Sequence, residues 1–333
     1  MRAVFLTLAA LAGLGLTGAV AVVALGLYNV SAVSGHLPGV SWVLHTTFQN
    51  SVWLRAPSEE KVPELDDAEL IALGAGHYAT ACVPCHGAPG QEASATMQAM
   101  VPAPPHMGEA VVHWEPNELF WIVENGVKMT GMPGWPAEER DDEVWAVVAY
   151  LVSMQEEAAP KLADAGPGDE PEAYCASCHG EIGGQMPRLD IQSAAYLEEQ
   201  LQAYLSGKRP SGIMAQAVTS VPEERLGELA RHFAETSDEA GGDPVADPEL
   251  AAEGEALARA GTRDVPTCLS CHGEREDGRR KGPVLDGQRR AFLEVQLTLW
   301  RDGVYAYDKL MHAAARDLSD DEIAALAAYF AGR

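Results

Sequence analysis

Read for its apolar and polar positions, the chain divides into an apolar head and a long helical body. Residues 3–54 hold no Asp, Glu, Lys or Arg, and residues 3–30 are almost purely apolar. That run exceeds the roughly 20 residues a helix needs to cross a bilayer. Arg2 is the only charged side chain before it, which favours that end staying in the cytoplasm. A cleaved signal peptide competes with this reading. Its apolar region is normally shorter, about 7–15 residues, but Ala19, Ala21 and Ala24 offer small residues for cleavage. Residues 31–62 follow as a connecting segment carrying Trp42, Val43, Leu44, Phe48, Val52, Trp53 and Leu54. Tryptophans close to a span sit at headgroup level. The segment is therefore expected either to lie along the interface or to pack as a linker on the next domain.

From residue 63 onward the apolar positions recur at helical spacing, and alternating β-branched runs are scarce, so the body is expected to be all-α. Asp66 or Asp67 caps a first helix through Leu70, Ile71, Leu73, Gly74 and Tyr78. Further helices are expected over residues 141–154, 223–234 and 319–330, the last with Ser319 as its cap. Two acidic stretches rich in Ala, Gly and Pro, residues 156–171 and 238–248, cannot bury enough apolar area to fold alone. They divide the body into residues 63–155, 172–237 and 249–333.

The last two of these segments repeat. Pro187, Leu189, Gln192, Leu197, Gln200, Leu201 and Gly207 recur 96 positions later as Pro283, Leu285, Gln288, Leu293, Gln296, Leu297 and Gly303. Seven identities in one register imply a shared fold.

The chemistry sits in Cys82-Val83-Pro84-Cys85-His86, Cys175-Ala176-Ser177-Cys178-His179 and Cys268-Leu269-Ser270-Cys271-His272. Each is a Cys-x-x-Cys-His run, the pattern of covalent c-type haem attachment. Two thiols three positions apart reach the two vinyl-derived carbons of one haem, and the adjacent His falls under the iron. Zinc or dithiol chemistry needs further Cys or a lone pair without the His. All six cysteines are consumed by the three runs, so none is left for a Cys₄ site or a disulfide.

The first segment resembles the class I cytochrome c family. Gly74 and Tyr78 stand eight and four residues before Cys82, where that family crosses its first and last helices. Lys128-Met129-Thr130-Gly131-Met132-Pro133 is similar to the family's distal-ligand run. The resemblance implies Met132 as the sixth ligand, with Met129 as the alternative. The repeat resembles the dihaem cytochrome c4 family over residues 172–333, which implies Met214 and Met311. Met186 and His312 remain the competing choices. In this reading His86, His179 and His272 are the proximal ligands of three covalently bound haems. The second segment departs from the pattern, because only Glu172, Ala173 and Tyr174 precede its motif.

Net charge is −26, from 49 acidic and 23 basic residues. This excludes nucleic acid, since nothing would neutralise phosphates, and favours a redox partner with a basic docking face. Lys281, Arg279, Arg280, Arg289 and Arg290 interrupt the acidity, either pairing with haem propionates, forming a docking surface or as a solvated loop; Arg188 and Arg209 are similar candidates. His77, His106 and His113 are expected at the surface or a haem edge. With a Met available in every segment, the resemblance implies an electron carrier rather than an enzyme. It would be anchored by one span in a bacterial inner membrane, with its haem domains in the periplasm. There it would link respiratory partners such as a quinol-oxidising complex or a soluble cytochrome and a terminal oxidase. A cytochrome subunit of a membrane-bound dehydrogenase and a cytochrome-type thiosulfate-oxidising enzyme are the alternatives.

Overall fold

The computed structural model of the chain describes residues 1–155, 159–160, 162, 170–236, 243, 247–274 and 281–333. Most of the linker positions fall outside the described residues, as do Arg279 and Arg280. Among the described residues the protein is helical, with no strand beyond an isolated bridge between Ala88 and Gln91.

Helix α1 (Arg2–Ala24) buries no residue and has a mean hydropathy of 2.1 over its most apolar window. Helix α2 (Val40–Arg55) packs one face on the body. Val52 is fully buried, Phe48 meets Trp114 edge-on at 5.4 Å, and the Pro57 carbonyl accepts from Asn117. Its other face leaves Trp42, Trp53 and Leu54 exposed. The connecting segment is thus a helix seated on the first segment, with an outward apolar side.

In the first segment α3 (Ala68–His77) starts where its cap is. The Asp67 carboxylate accepts from the Glu69 and Leu70 amides at 2.8 Å, a cap contributing about 1 kcal/mol. Helix α4 (Pro116–Asn125) follows, and then α5 (Asp141–Gln155), whose interior face of Val144, Val147, Val148 and Leu151 is buried. The crossing of α3 and α5 is backbone against backbone. A Cβ on Gly74 would overlap the Ala146 carbonyl and reach Tyr150 at 3.0 Å. Tyr78 packs on Tyr150 with the rings tilted and 5.1 Å apart, and donates to the Gly87 carbonyl at 2.8 Å. A π-helical turn, Tyr78–Cys82, then delivers the chain to the first motif.

The second segment begins with α6 (Pro171–His179), which contains the motif itself. No helix of its own precedes the motif among the described residues. Helix α7 (Ala194–Leu205), α8 (Gly212–Thr219) and α9 (Leu226–Glu235) complete it, and Leu226, Leu229 and Phe233 pack on Leu197. The third segment is built like the first. Helices α10 (Pro248–Ala260), α11 (Arg290–Arg301), α12 (Lys309–Ala315) and α13 (Asp320–Ala331) enclose one core. Gly254 of α10 repeats the crossing, meeting the Ala325 carbonyl and Tyr329 of α13. Sequence reading located α13 but missed Gly254, because it stands farther ahead of its motif than Gly74 does.

The second and third segments join through a local two-fold axis. The Gln192 side chain donates to the Val284 carbonyl at 2.7 Å and accepts from its amide at 3.0 Å. The Gln288 side chain does the same to the carbonyl and amide of Arg188, at 3.0 and 2.8 Å. Gln192 and Gln288 are repeat partners 96 apart, as are Arg188 and Val284. The repeat is therefore expressed as an interface as well as a fold.

Candidate haem sites and the contacts between them

Each Cys-x-x-Cys-His run ends in a helical turn that leaves its His partly buried and places its first Cys against an apolar cluster. Burial pushes the Cys82 and Cys175 thiols up to about 12 and the Cys268 thiol up to about 11. Free thiolates, which dithiol exchange needs, are suppressed there. A thioether carries no charge and fits such surroundings. Among the described residues no group of three or more His, Cys, Asp and Glu side chains is placed to hold an ion.

The imidazoles are oriented from behind. His86 Nδ1 is 2.9 Å from the Pro105 carbonyl and His272 Nδ1 is 3.0 Å from the Pro283 carbonyl. A carbonyl can only accept, so Nδ1 carries the proton and Nε2 is left with its lone pair for a metal. Sequence reading did not predict this role. Pro283 stood out as a repeat identity, but nothing local shows that its carbonyl faces His272.

A cavity with about 1290 Å³ of atom-free space, partly open to solvent, is lined by Cys175, His179, Leu189, Leu197, Phe233 and Met214 together. Met186 also reaches it, but packs in a buried cluster with Leu73, Ala146 and Ile182. In the third segment Met311 packs on the cluster that holds Cys268, whereas His312 Nδ1 lies 2.7 Å from the Trp300 carbonyl. In the first, Met132 is half-buried at the end of a turn closed by its carbonyl and the Val127 amide. Met129, at positive φ, is 78% exposed. Met97, which sequence reading passed over, puts its sulfur 3.7 Å from Cys85.

Several polar residues have other places than expected. His77 is buried against Trp135 at 4.9 Å, and desolvation lowers it to about 4. Arg289 is neither a loop cation nor at the surface. It is 1% exposed and donates to the Ile182 and Met186 carbonyls, both at 2.9 Å. Arg290 pairs with Glu294. Arg209 is buried between Tyr204 and Tyr305, at 4.9 and 5.1 Å, and donates to Gln200 and Gln296 across the two-fold interface.

A second junction joins the first segment to the others. Arg140 and Glu143, at the start of α5, form a buried pair at 2.8 Å. Arg140 also bonds Asp142, the Pro210 carbonyl and the Tyr305 hydroxyl. The Glu143 carboxylate accepts from Ser211 Oγ, the Gly212 amide at 2.6 Å, the Ile213 amide at 3.3 Å and Trp135 Nε1 at 3.2 Å. Burial pushes this carboxyl up, while Arg140 and the hydrogen bonds from Ser211 and Gly212 pull it down. A carboxylate of the first segment thereby caps α8, the helix that carries Met214, where helix dipole and unpaired amides favour an anion.

Three motifs in apolar clusters, with imidazoles oriented through Nδ1 at two of them, define a c-type cytochrome. The family described as "Cytochrome C oxidase, cbb3-type, subunit III" matches residues 69–151 and 249–330, which are the two segments with a glycine crossing. Cytochrome c4 of Pseudomonas aeruginosa is 34% identical over 180 residues, 51% of this chain and 88% of that protein. A "Thiosulfate dehydrogenase electron acceptor" of Stutzerimonas stutzeri is 33% identical, over 56% of this chain and 91% of that protein. Among solved structures, cytochrome c4 from Pseudomonas stutzeri matches at 30% identity and a TM-score of 0.42, covering 51% of this chain and 98% of that one. The chain belongs to the cytochrome c4-like class I cytochrome c family. It is a c-type cytochrome electron carrier, and family membership implies covalently bound haem c.

Proposed function

We propose that the protein is a membrane-anchored tri-haem cytochrome c that carries electrons at the periplasmic face between respiratory partners. Three tandem class I domains, residues 63–155, 172–237 and 249–333, follow the single span of α1. Cys82 and Cys85, Cys175 and Cys178, and Cys268 and Cys271 hold one haem each. His86, His179 and His272 are the proximal ligands, and Met132, Met214 and Met311 the distal ones. The observation that carries this reading is that all three motifs stand in equivalent apolar surroundings, two of them with Nδ1 fixed on a proline carbonyl.

Bound haem iron supplies reversible one-electron chemistry, and a Met–His pair raises its potential. The chain's part is to close both axial positions, exclude water and hold the sites in contact. The acidic surface steers a basic partner toward it, an attraction weakened by salt. The anchor keeps the carrier at high effective concentration beside membrane complexes.

A haem-to-protein ratio together with the mass of the purified chain tests the count, three porphyrins being expected. Redox titration of Met132→Ala, Met214→Ala and Met311→Ala tests the ligands. Each substitution should remove one high-potential wave, and a titration left unchanged would reject that Met. A second reading, acceptor for a dehydrogenase, is favoured by the relatives named thiosulfate dehydrogenase electron acceptors. Co-purification of a dehydrogenase subunit from detergent extracts would select it. A substrate-dependent reduction by the chain alone would instead identify an enzyme.

A further inference from the structure

The second attachment run faces the first segment. Cys178 sits in an apolar cluster with Leu70, Leu73 and Ala146, all from α3 and α5. A Cβ built on Gly76 would stand 3.0 Å from the Cys178 sulfur, so the α3 backbone lies directly on it. One turn further along, the Thr80 hydroxyl, which donates to the His77 carbonyl at 3.2 Å, lies beside the Tyr174 hydroxyl. Thr80 stands two residues before Cys82, and Tyr174 immediately precedes Cys175. The two attachment runs are thus pinned to each other by a polar contact and a sulfur-to-backbone contact.

We infer that this contact of α3 with α6 is the junction through which one electron passes between the first and second haems. The inference rests on the tri-haem reading. Tunnelling falls off exponentially with the gap, and bonded or van der Waals paths carry it better than water. A sulfur bonded to one haem and lying on the helix that leads into the other's attachment run shortens the through-space step to one contact. Burial among leucines excludes water, so few solvent dipoles have to reorient when the electron moves. One site loses an electron and the other gains it, with no proton transferred and no further reactant needed. Because the second segment also shares the Gln192–Gln288 interface with the third, it is the middle relay of a linear sequence. The Arg140–Glu143 cluster adjoins this contact, because Glu143 accepts from the amide of Ile213, which packs on the same apolar cluster as Cys178.

The test uses the full chain in detergent, with a photosensitiser on the exposed Lys128 so that flashes load the first haem. Gly76→Leu wedges the two runs apart. Thr80→Val removes the hydroxyl beside Tyr174 at nearly constant volume. Gly76→Ala is the mild form, adding only one methyl group. The first inter-haem phase should slow several-fold in Gly76→Leu and less in the other two, while the phase reporting the second-to-third step stays unchanged. Equal first phases in all variants would overturn the junction, as would equal slowing of both phases. If Gly76→Leu fails to incorporate haem, the other two variants decide by the same criterion. Haem content is measured on each sample. Fewer than three haems in the unaltered chain would fail the tri-haem reading, whereas three haems with unchanged kinetics would fail the junction alone.

Discussion

Glu143→Gln probes how far the first segment governs the second. The carboxylate is 5% exposed, pairs with a 6% exposed Arg140 at 2.8 Å, and takes hydrogen bonds from Ser211 and from the Gly212 and Ile213 amides that open α8. Breaking one half of a buried pair costs about 3–5 kcal/mol, because the other charge stays desolvated. Here Asp142 still holds Arg140 at 2.7 Å, and the glutamine oxygen still accepts some of the bonds, so the lower end, about 3 kcal/mol, applies. The cost is local, and a multi-domain haem protein does not unfold in two states. Hydrogen exchange at Gly212, Ile213 and Met214 is therefore the assay. At 1.36 kcal/mol per factor of ten, a loss of about 3 kcal/mol lowers protection roughly 100-fold. Amides within α13, in the third core, should keep theirs. A double replacement, Arg140→Met with Glu143→Leu, should recover most of the loss, because an apolar pair removes both desolvated charges. If Glu143→Gln left α8 protection within about threefold of the unaltered chain, below 1 kcal/mol, the cap would carry no energetic weight and the reasoning would fail.

Two further outcomes follow from single side chains. Burial lowers His77 from 6.5 to about 4, so the folded chain holds it neutral while the unfolded chain protonates it first. Stability of the first segment should therefore fall as pH drops from 6.5 toward 4, by up to about 3 kcal/mol, and His77→Gln should flatten that slope in pH-dependent melts. Gly254→Ala should destabilise the third segment by about 3 kcal/mol, since its methyl group meets the Ala325 carbonyl rather than a movable side chain. Melting followed by circular dichroism would report this, and an unchanged midpoint would mean that α10 and α13 can separate freely.

The outcome for particular residues shows how much could be read before the fold was known. Asp67 and Ser319 cap the helices they were expected to cap, and α5 and α13 start and end within a few residues of their anticipated limits. That almost no helix of its own precedes the second motif was also legible, and among the described residues α3 of the first segment lies against that motif. By contrast, His77 was expected at the surface or a haem edge and Arg289 on a haem propionate, a docking surface or a solvated loop, and both are buried. Their partners, Trp135 for one and the Ile182 and Met186 carbonyls for the other, lie 58 or more positions away. The sulfur of Met129 and that of Met132 stand three positions apart in sequence, and only the turn's geometry turns the former out to solvent.

What the sequence determined by itself was whatever is short-ranged. It set the spacing of Cys and His within a motif, the apolar length of α1, the caps, the helical period and the 96-residue repeat. Each depends on residues within a few turns of one another, or on a copy of the same pattern. Tertiary structure alone decided which carbonyls stand behind the His86 and His272 imidazoles, which carboxylate caps α8, and which glycine lies on Cys178. Those choices depend on backbone groups that every residue carries, so no side-chain pattern announces them until distant parts of the chain are packed together.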